Sequence, residues 1–356
     1  MSEDHNYKSL SNKIVNWYNK NARKLPWRDT TDPYIIWISE IVLQQTTVNQ
    51  GLEYFNRFII AFPNVTALAQ ATEDQVLKLW EGLGYYSRAR NLHFTAKHIY
   101  NNLDGVFPNT YNDLLTLKGV GPYTASAIAS FAFNLPHVVV DGNVIRLISR
   151  LWGIEEAVDI KPTLNKIGTI GSQLISHQEP AIFNQAIMEI GALCCTYRNP
   201  QCNQCPVSKS CIARKRGLIS SIPYKSKKIV KKKRYFYYYH IVDKNNNTYI
   251  QKRSEEDIWK GLYQFPLQEV SGYNIEPNLS FLSIEDVKLE TYKSKIFKQT
   301  LTHQYIHAQF LILKLPYSIE ENDDLPYIIC GNDDLSAFAW PKVIDLYFKD
   351  LSITLF

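Results

Sequence analysis

Four cysteines, Cys195, Cys202, Cys205 and Cys211, stand in the stretch LCCTYRNPQCNQCPVSKSC (residues 193–211) with the spacing C-x6-C-x2-C-x5-C. Thiolates crowded into one short loop point to a metal centre. The start, MSEDHNYK, lacks a secretory pattern, and thiols in a reducing compartment stay unpaired, which disfavours disulfides. Structural zinc more often draws on two C-x2-4-C knuckles set well apart. A compact loop that closes on itself suits a 4Fe–4S cube held by four thiolates. Zinc and simply buried thiols are the alternatives. Cys194 and Cys330 read as core or surface thiols. A second stretch, LLTLKGVGPYTASAIA (114–129), reads as a helix, a Gly119-Val120-Gly121 turn and another helix. Glycines there let the backbone turn sharply and approach a ligand, and the free N–H groups opening the second helix suit a phosphate of a nucleic-acid backbone.

These groups need a scaffold, and the chain is long enough for two domains: it has 356 residues, 45% of them hydrophobic, a globular composition. Up to about residue 213 the pattern is helical. Residues 33–62 carry apolar residues at three-to-four spacing, Thr72 and the acids after it signal a helix start, and further helices are expected in 108–117, 123–133, 142–152 and 181–195. Residues 217–234 hold seven positive and no negative charges. Together with a basic front half this points to a polyanion partner, a solvated linker being the plainer alternative. From 235 the grammar changes. RYFYYYHIV and NTYIQKR around DKNNN predict a β-hairpin, AQFLILKL a strand, and SIEDVKLE and KVIDLYF short helices. The expected plan is an all-α domain over 1–213, a basic linker over 214–234 and an α+β domain over 235–356. No apolar run reaches membrane-spanning length; a cytoplasmic, nucleoid-associated bacterial monomer is expected.

The helix–turn–helix, VVVDGNVIRLISR after it and the cysteine loop together resemble the endonuclease III superfamily of DNA glycosylases, whose first domain is a helix-hairpin-helix fold ending in an iron–sulfur loop. LPWRDTTDPYIIWISEIVLQQTTV and GLGYYSRARNLH are similar to the adenine-specific MutY family within it. That resemblance implies removal of adenine mispaired with 8-oxoguanine, or with guanine, in double-stranded DNA. Asp141 matches the family's catalytic aspartate, an anion that stabilises the developing sugar cation; read without the family it is a helix cap. Glu40 matches the family's acid. Flanked by Ile38, Ile41 and Val42, it is expected to be desolvated and to protonate a purine ring nitrogen near neutral pH. Strand-cleaving relatives carry a lysine where Tyr123 stands, and a phenol forms no Schiff base. The family suggests that Tyr123 and Asn143 position Asp141 or the sugar, that Gln45 fills the hole left by the extruded base, and that Tyr85 is the wedge against the opposite base. Trp27, Arg28, Leu43, Val48, Gln185 and Glu189 are candidates for the adenine pocket.

The second domain resembles the MutT-like (Nudix-fold) module of that family, best at IWKGLYQFP (258–266). The R-E-x-x-E-E pattern that holds magnesium in Nudix hydrolases is absent from the sequence, so lesion reading without nucleotide hydrolysis is expected. Leu301-Thr302-His303 stands where the family usually reads 8-oxoguanine through Phe-Ser-His. Thr302 keeps a hydroxyl that can donate and accept; Leu301 lacks an aromatic face.

Overall fold

The computed structural model describes residues 7–226, 230–273, 290–321 and 325–354. They form two compact units, one from the described residues of 1–70 and 94–228, the other from those of 71–93 and 229–356. Residues 71–93 lie inside the expected helical domain, yet they group with the second unit. No described helix is long and apolar enough to cross a membrane.

The helices run α1 Tyr7–Asn21, α2 Pro33–Leu43, α3 Val48–Ala61, α4 Val65–Gln70, α5 Glu73–Leu79, α6 Ser87–Asn102, α7 Tyr111–Thr116, α8 Pro122–Phe133, α9 Gly142–Trp152, α10 Lys161–Ile175, α11 Pro180–Leu193, α12 Ile212–Lys215 and α13 Lys342–Thr354. The apolar run 33–62 is two helices, not one. Asp32 caps α2 by accepting from the Tyr34 N–H at 2.8 Å, with Pro33 opening the helix. The helix stops where Gln45 turns left-handed at φ +59°, and Thr47 caps α3. The signal at Thr72 is a full capping box with Gln75 at the start of α5.

In the first unit α9 and α11 cross beside α1 and α10, burying Val144, Leu147, Ile148, Phe183, Ile187 and Ile190 in one core. The crossing of α9 and α11 is close. A Cβ at Gly191 would lie 2.5 Å from the Cβ of Asn143, so α11 can lean there only on a glycine. The front of the expected linker belongs to this unit. Ile222 is buried and its carbonyl accepts from Arg150 Nε at 2.9 Å, while Ser226 bonds Asp159.

In the second unit β1 (Lys232–Val242) pairs in parallel with β7 (Gln304–Lys314) and antiparallel with β4 (Leu267–Val270); β5 (Glu290–Lys293) and β6 (Phe297–Thr300) pair with β7. A smaller sheet has the order β3-β2-β8, from Tyr263–Gln264, Asn247–Lys252 and Ile328–Gly331. The expected hairpin is thus corrected: the Asn-rich turn exists, closed by Asp243, but β1 and β2 enter different sheets. The cause is β7, whose eleven residues match β1 throughout and occupy its edge. Phe236, Tyr238 and His240 of β1 face an aromatic core with Phe265, Phe310 and Tyr347. The helix expected at 342–348 is the first part of α13; the one expected in SIEDVKLE falls almost wholly outside the described residues. Within this unit α5 and its loop are held by Asp74, which accepts from Lys252 at 2.5 Å and Tyr263 at 3.1 Å, and by Glu81, which accepts from the Trp340 N–H at 2.8 Å.

Candidate active site

Three elements meet over a cavity of about 210 Å³ in the first unit. Helix α2 supplies Glu40, the start of α8 supplies Tyr123, and the start of α9 supplies Asp141 and Asn143. Every one of these, with Trp27, Arg28, Leu43, Val48, Gln185 and Glu189, lines that one cavity. The candidates for acid, anion and base pocket are therefore brought together.

Glu40 sits on the buried side of α2, and its carboxyl accepts from the Tyr123 hydroxyl at 2.6 Å. Burial pushes its pKa up from the ordinary carboxylate value to about 7; the nearby Asp141 adds to the rise, while the Tyr123 bond and Arg28 oppose it. Tyr123 is itself buried beside Glu40, which drives its pKa up and keeps the phenol protonated. Its expected partner was Asp141 or the sugar. Within the protein it bonds Glu40, because α8 packs along α2 and brings the second residue of α8 against the last turn of the neighbouring helix.

Asp141 is the helix cap the sequence allowed, and it lines the same cavity as Glu40. It caps α9, accepting from the Val144 N–H at 2.7 Å, and its other oxygen faces Asn143, which donates at 2.6 Å. Burial raises its pKa, against these hydrogen bonds and the positive charge of Arg146. Arg146 Nη2 donates to Asn143 Oδ1 at 2.8 Å and to the Gly191 carbonyl at 2.6 Å, and its Nε to the Cys195 carbonyl at 2.6 Å. A chain of hydrogen bonds thus runs from the cysteine loop through Arg146 and Asn143 to Asp141. Arg146 was not among the residues singled out from the sequence; its spacing from Arg150, one helical turn on, was the available signal.

Glu189 accepts from Arg23 at 2.7 Å and from Arg28 at 2.7 Å. Burial alone would raise its pKa, but the arginines win and hold it at about 2. One cavity therefore pairs a carboxyl that titrates near pH 7 with one that stays charged. Trp27 meets Phe55 edge-on at 5.0 Å and closes one wall.

Gln45 does not face this cavity; it is exposed at the α2–α3 break, in the left-handed region. The Gly119–Gly121 turn is built as expected at Gly119, whose φ of +82° needs glycine. Gly121 is extended, a conformation open to any residue, and a Cβ there would meet nothing within 4 Å. Its lack of a side chain matters only toward something outside the protein.

Tyr85, Thr302 and His303 lie in the second unit, around a cavity of about 740 Å³ whose lining includes Lys231, Lys298, Lys342 and Arg90. The Leu301–His303 segment is the turn between β6 and β7. Tyr85 is left-handed at φ +50°, half-exposed, and its hydroxyl meets Thr302 Oγ1 at 2.6 Å.

The four cysteines of the loop line one small separate cavity, with Leu147, Leu151 and Val207 around them and Cys194 beside them. Arg150, fully buried, donates to Cys195 Sγ at 3.4 Å and to the Thr196 and Tyr197 carbonyls at 2.7 and 3.1 Å. Among the described residues no group of three or more His, Cys, Asp or Glu side chains already stands spaced for a metal ion. The donor chemistry fits an iron–sulfur cluster all the same: four soft thiols share one apolar-walled space, with Arg150 and Arg214 on its lining to offset thiolate charge.

The chain matches the helix-hairpin-helix base excision DNA repair superfamily over residues 38–169 and the Nudix domain over 237–350. It is 36% identical to the adenine DNA glycosylase of Buchnera aphidicola from Acyrthosiphon pisum, over 87% of this chain and 88% of that one. Among solved structures, a thermostable thymine-DNA glycosylase superposes with a TM-score of 0.56 at 27% identity, covering 60% of this chain and all of that one. An endonuclease III in a non-covalent DNA complex superposes with a TM-score of 0.53 at 20% identity, over 61% of this chain and 99% of that one, a likeness of fold.

Proposed function

This chain belongs to the family of adenine DNA glycosylases, N-glycosyl hydrolases of base excision repair, and from that membership we propose how it selects and removes its base. The substrate is adenine opposite 8-oxoguanine, or opposite guanine, in duplex DNA. The adenine leaves the stack and enters the 210 Å³ cavity. Tyr123 occupies Oε2 of Glu40, which leaves Oε1 to carry the titrating proton and give it to a ring nitrogen of the base. As the glycosidic bond breaks, positive charge grows on the sugar. Asp141, held in place by Asn143 and the α9 backbone, stabilises it until water adds. The observation that carries this reading is the pairing in one cavity of a buried carboxyl with pKa about 7 and a second, hydrogen-bonded carboxylate.

No amine stands where a Schiff base would form, so the product is an intact abasic strand. A duplex with one adenine opposite 8-oxoguanine should break only after hot alkali, and borohydride should trap no protein–DNA adduct. A break without alkali, or a trapped adduct, refutes the monofunctional reading and favours a glycosylase–lyase.

Cys195, Cys202, Cys205 and Cys211 would hold a 4Fe–4S cluster, with Arg150 donating to Cys195. A cluster closed by four protein thiolates supplies rigidity rather than an open coordination site. In the second unit, Tyr85 and Thr302 read the base opposite the adenine. 8-Oxoguanine carries a donor at N7 where guanine has an acceptor, and a hydroxyl engaged by Tyr85 is placed to tell them apart. Thr302→Ala should cut the preference for adenine opposite 8-oxoguanine over adenine opposite guanine by about fivefold, the worth of one hydrogen bond. An unchanged ratio of the two excision rates would remove Thr302 from lesion reading.

A further inference from the structure

Behind the base cavity, a tyrosine outside it takes hold of one lining side chain. The Tyr18 hydroxyl on α1 donates to Gln185 Oε1 on α11 at 2.5 Å, and Gln185 lines the cavity that holds Glu40 and Asp141. Tyr18 is itself fixed. The Arg28 guanidinium lies over its ring at 5.6 Å, and Arg28 is anchored by bonds to the Arg23 carbonyl at 3.0 Å and to Glu189 at 2.7 Å.

An amide side chain has one accepting end and one donating end. With the carbonyl of Gln185 taken by Tyr18, the end left for a ligand is the NH2. Glu189, the other polar side chain that α11 presents to the cavity, already accepts four hydrogen bonds from Arg23 and Arg28. We infer that Tyr18 is a positioning residue for base selection: it holds the Gln185 amide with its donor toward the cavity, where it meets a ring nitrogen of adenine that Glu40 does not protonate. This rests on the cavity being the adenine pocket. A free amide could turn over and offer a carbonyl, which a bare ring nitrogen repels; the Tyr18 proton on Oε1 sets the amide the other way.

Deleting single ring nitrogens tests the contact. Single-turnover excision is measured for adenine and for 1-deaza-, 3-deaza- and 7-deazaadenine opposite 8-oxoguanine, with wild type and Tyr18→Phe, which keeps the ring under Arg28. In wild type the analogue lacking the nitrogen that meets Gln185 should be excised about fivefold more slowly than adenine. In Tyr18→Phe that penalty should shrink toward unity, while the pH midpoint of excision, set by Glu40, stays in place. A merely structural tyrosine would slow all four bases alike and leave every penalty unchanged; that outcome overturns the inference. Gln185→Glu, which keeps acceptors but has no NH2, should abolish the same penalty and serves if Tyr18→Phe folds poorly. If wild type excises no adenine, the pocket assignment itself fails, which is a separate result.

Discussion

Glu40→Gln should lower single-turnover excision of adenine by about three orders of magnitude, the middle of what a general acid contributes, while mismatch binding stays within a few-fold of wild type. The amide keeps the shape and can accept from Tyr123, but it has no proton of the needed acidity. Loss of binding along with activity would instead mark Glu40 as structural. The pH profile follows from the same burial. With its pKa raised to about 7, Glu40 is in the acid form below neutrality, so wild-type excision should hold at mildly acidic pH and fall as pH rises through about 7. Stability has the same sign. A carboxyl whose folded pKa is raised favours the folded state most at low pH, and that contribution, on the order of 3 kcal/mol, is lost as pH rises from about 4.5 through 7. Glu40→Gln cannot ionise, so its melting temperature should lack that slope; an identical slope in both proteins would contradict the raised pKa.

Asp141→Asn should be as damaging to catalysis and mild in stability. Asparagine caps helices about as well as aspartate and can accept from the Val144 N–H. The capping function survives, while the charge facing the sugar and the acceptor to which Asn143 donates are both removed. Excision should fall by about a thousandfold, the scale for deleting one preorganised electrostatic partner, with the unfolding free energy within about 2 kcal/mol of wild type, the worth of the Asn143 hydrogen bond. Substantial residual excision would show that the carboxylate serves the helix alone. A large drop in stability would put its loss of activity down to misfolding.

What was legible in the sequence was whatever local chemistry fixes. Asp141 and Glu40 stand in short motifs, and α9 begins at its Asp141 cap and spans the expected 142–152. Non-local choices were not legible. The strand RYFYYYHIV pairs with a partner some seventy residues on, and nothing in the turn beside it reveals that a longer, better-matched edge will win. Residues 71–93 look like any helical stretch; Asp74, Lys78, Glu81, Tyr85 and Arg90, reaching groups between residues 252 and 340, tie them to the second unit. Tyr18, Arg23 and Arg146 were missed in the site for the same reason. Each acts on a neighbour more than 40 residues away in the chain, and a lone Tyr or Arg on a helix carries no mark of that.

The left-handed backbone at Gln45 and Tyr85 has a consequence for where energy is spent. Holding a residue other than glycine in that region costs roughly 1–2 kcal/mol, and the free protein already bears it at both positions. For side chains that enter a duplex, the distortion then falls on folding and not on binding. On the reading that Gln45 and Tyr85 are such side chains, it shows as stability the unbound protein forgoes, each residue being set on its own unit before DNA is met.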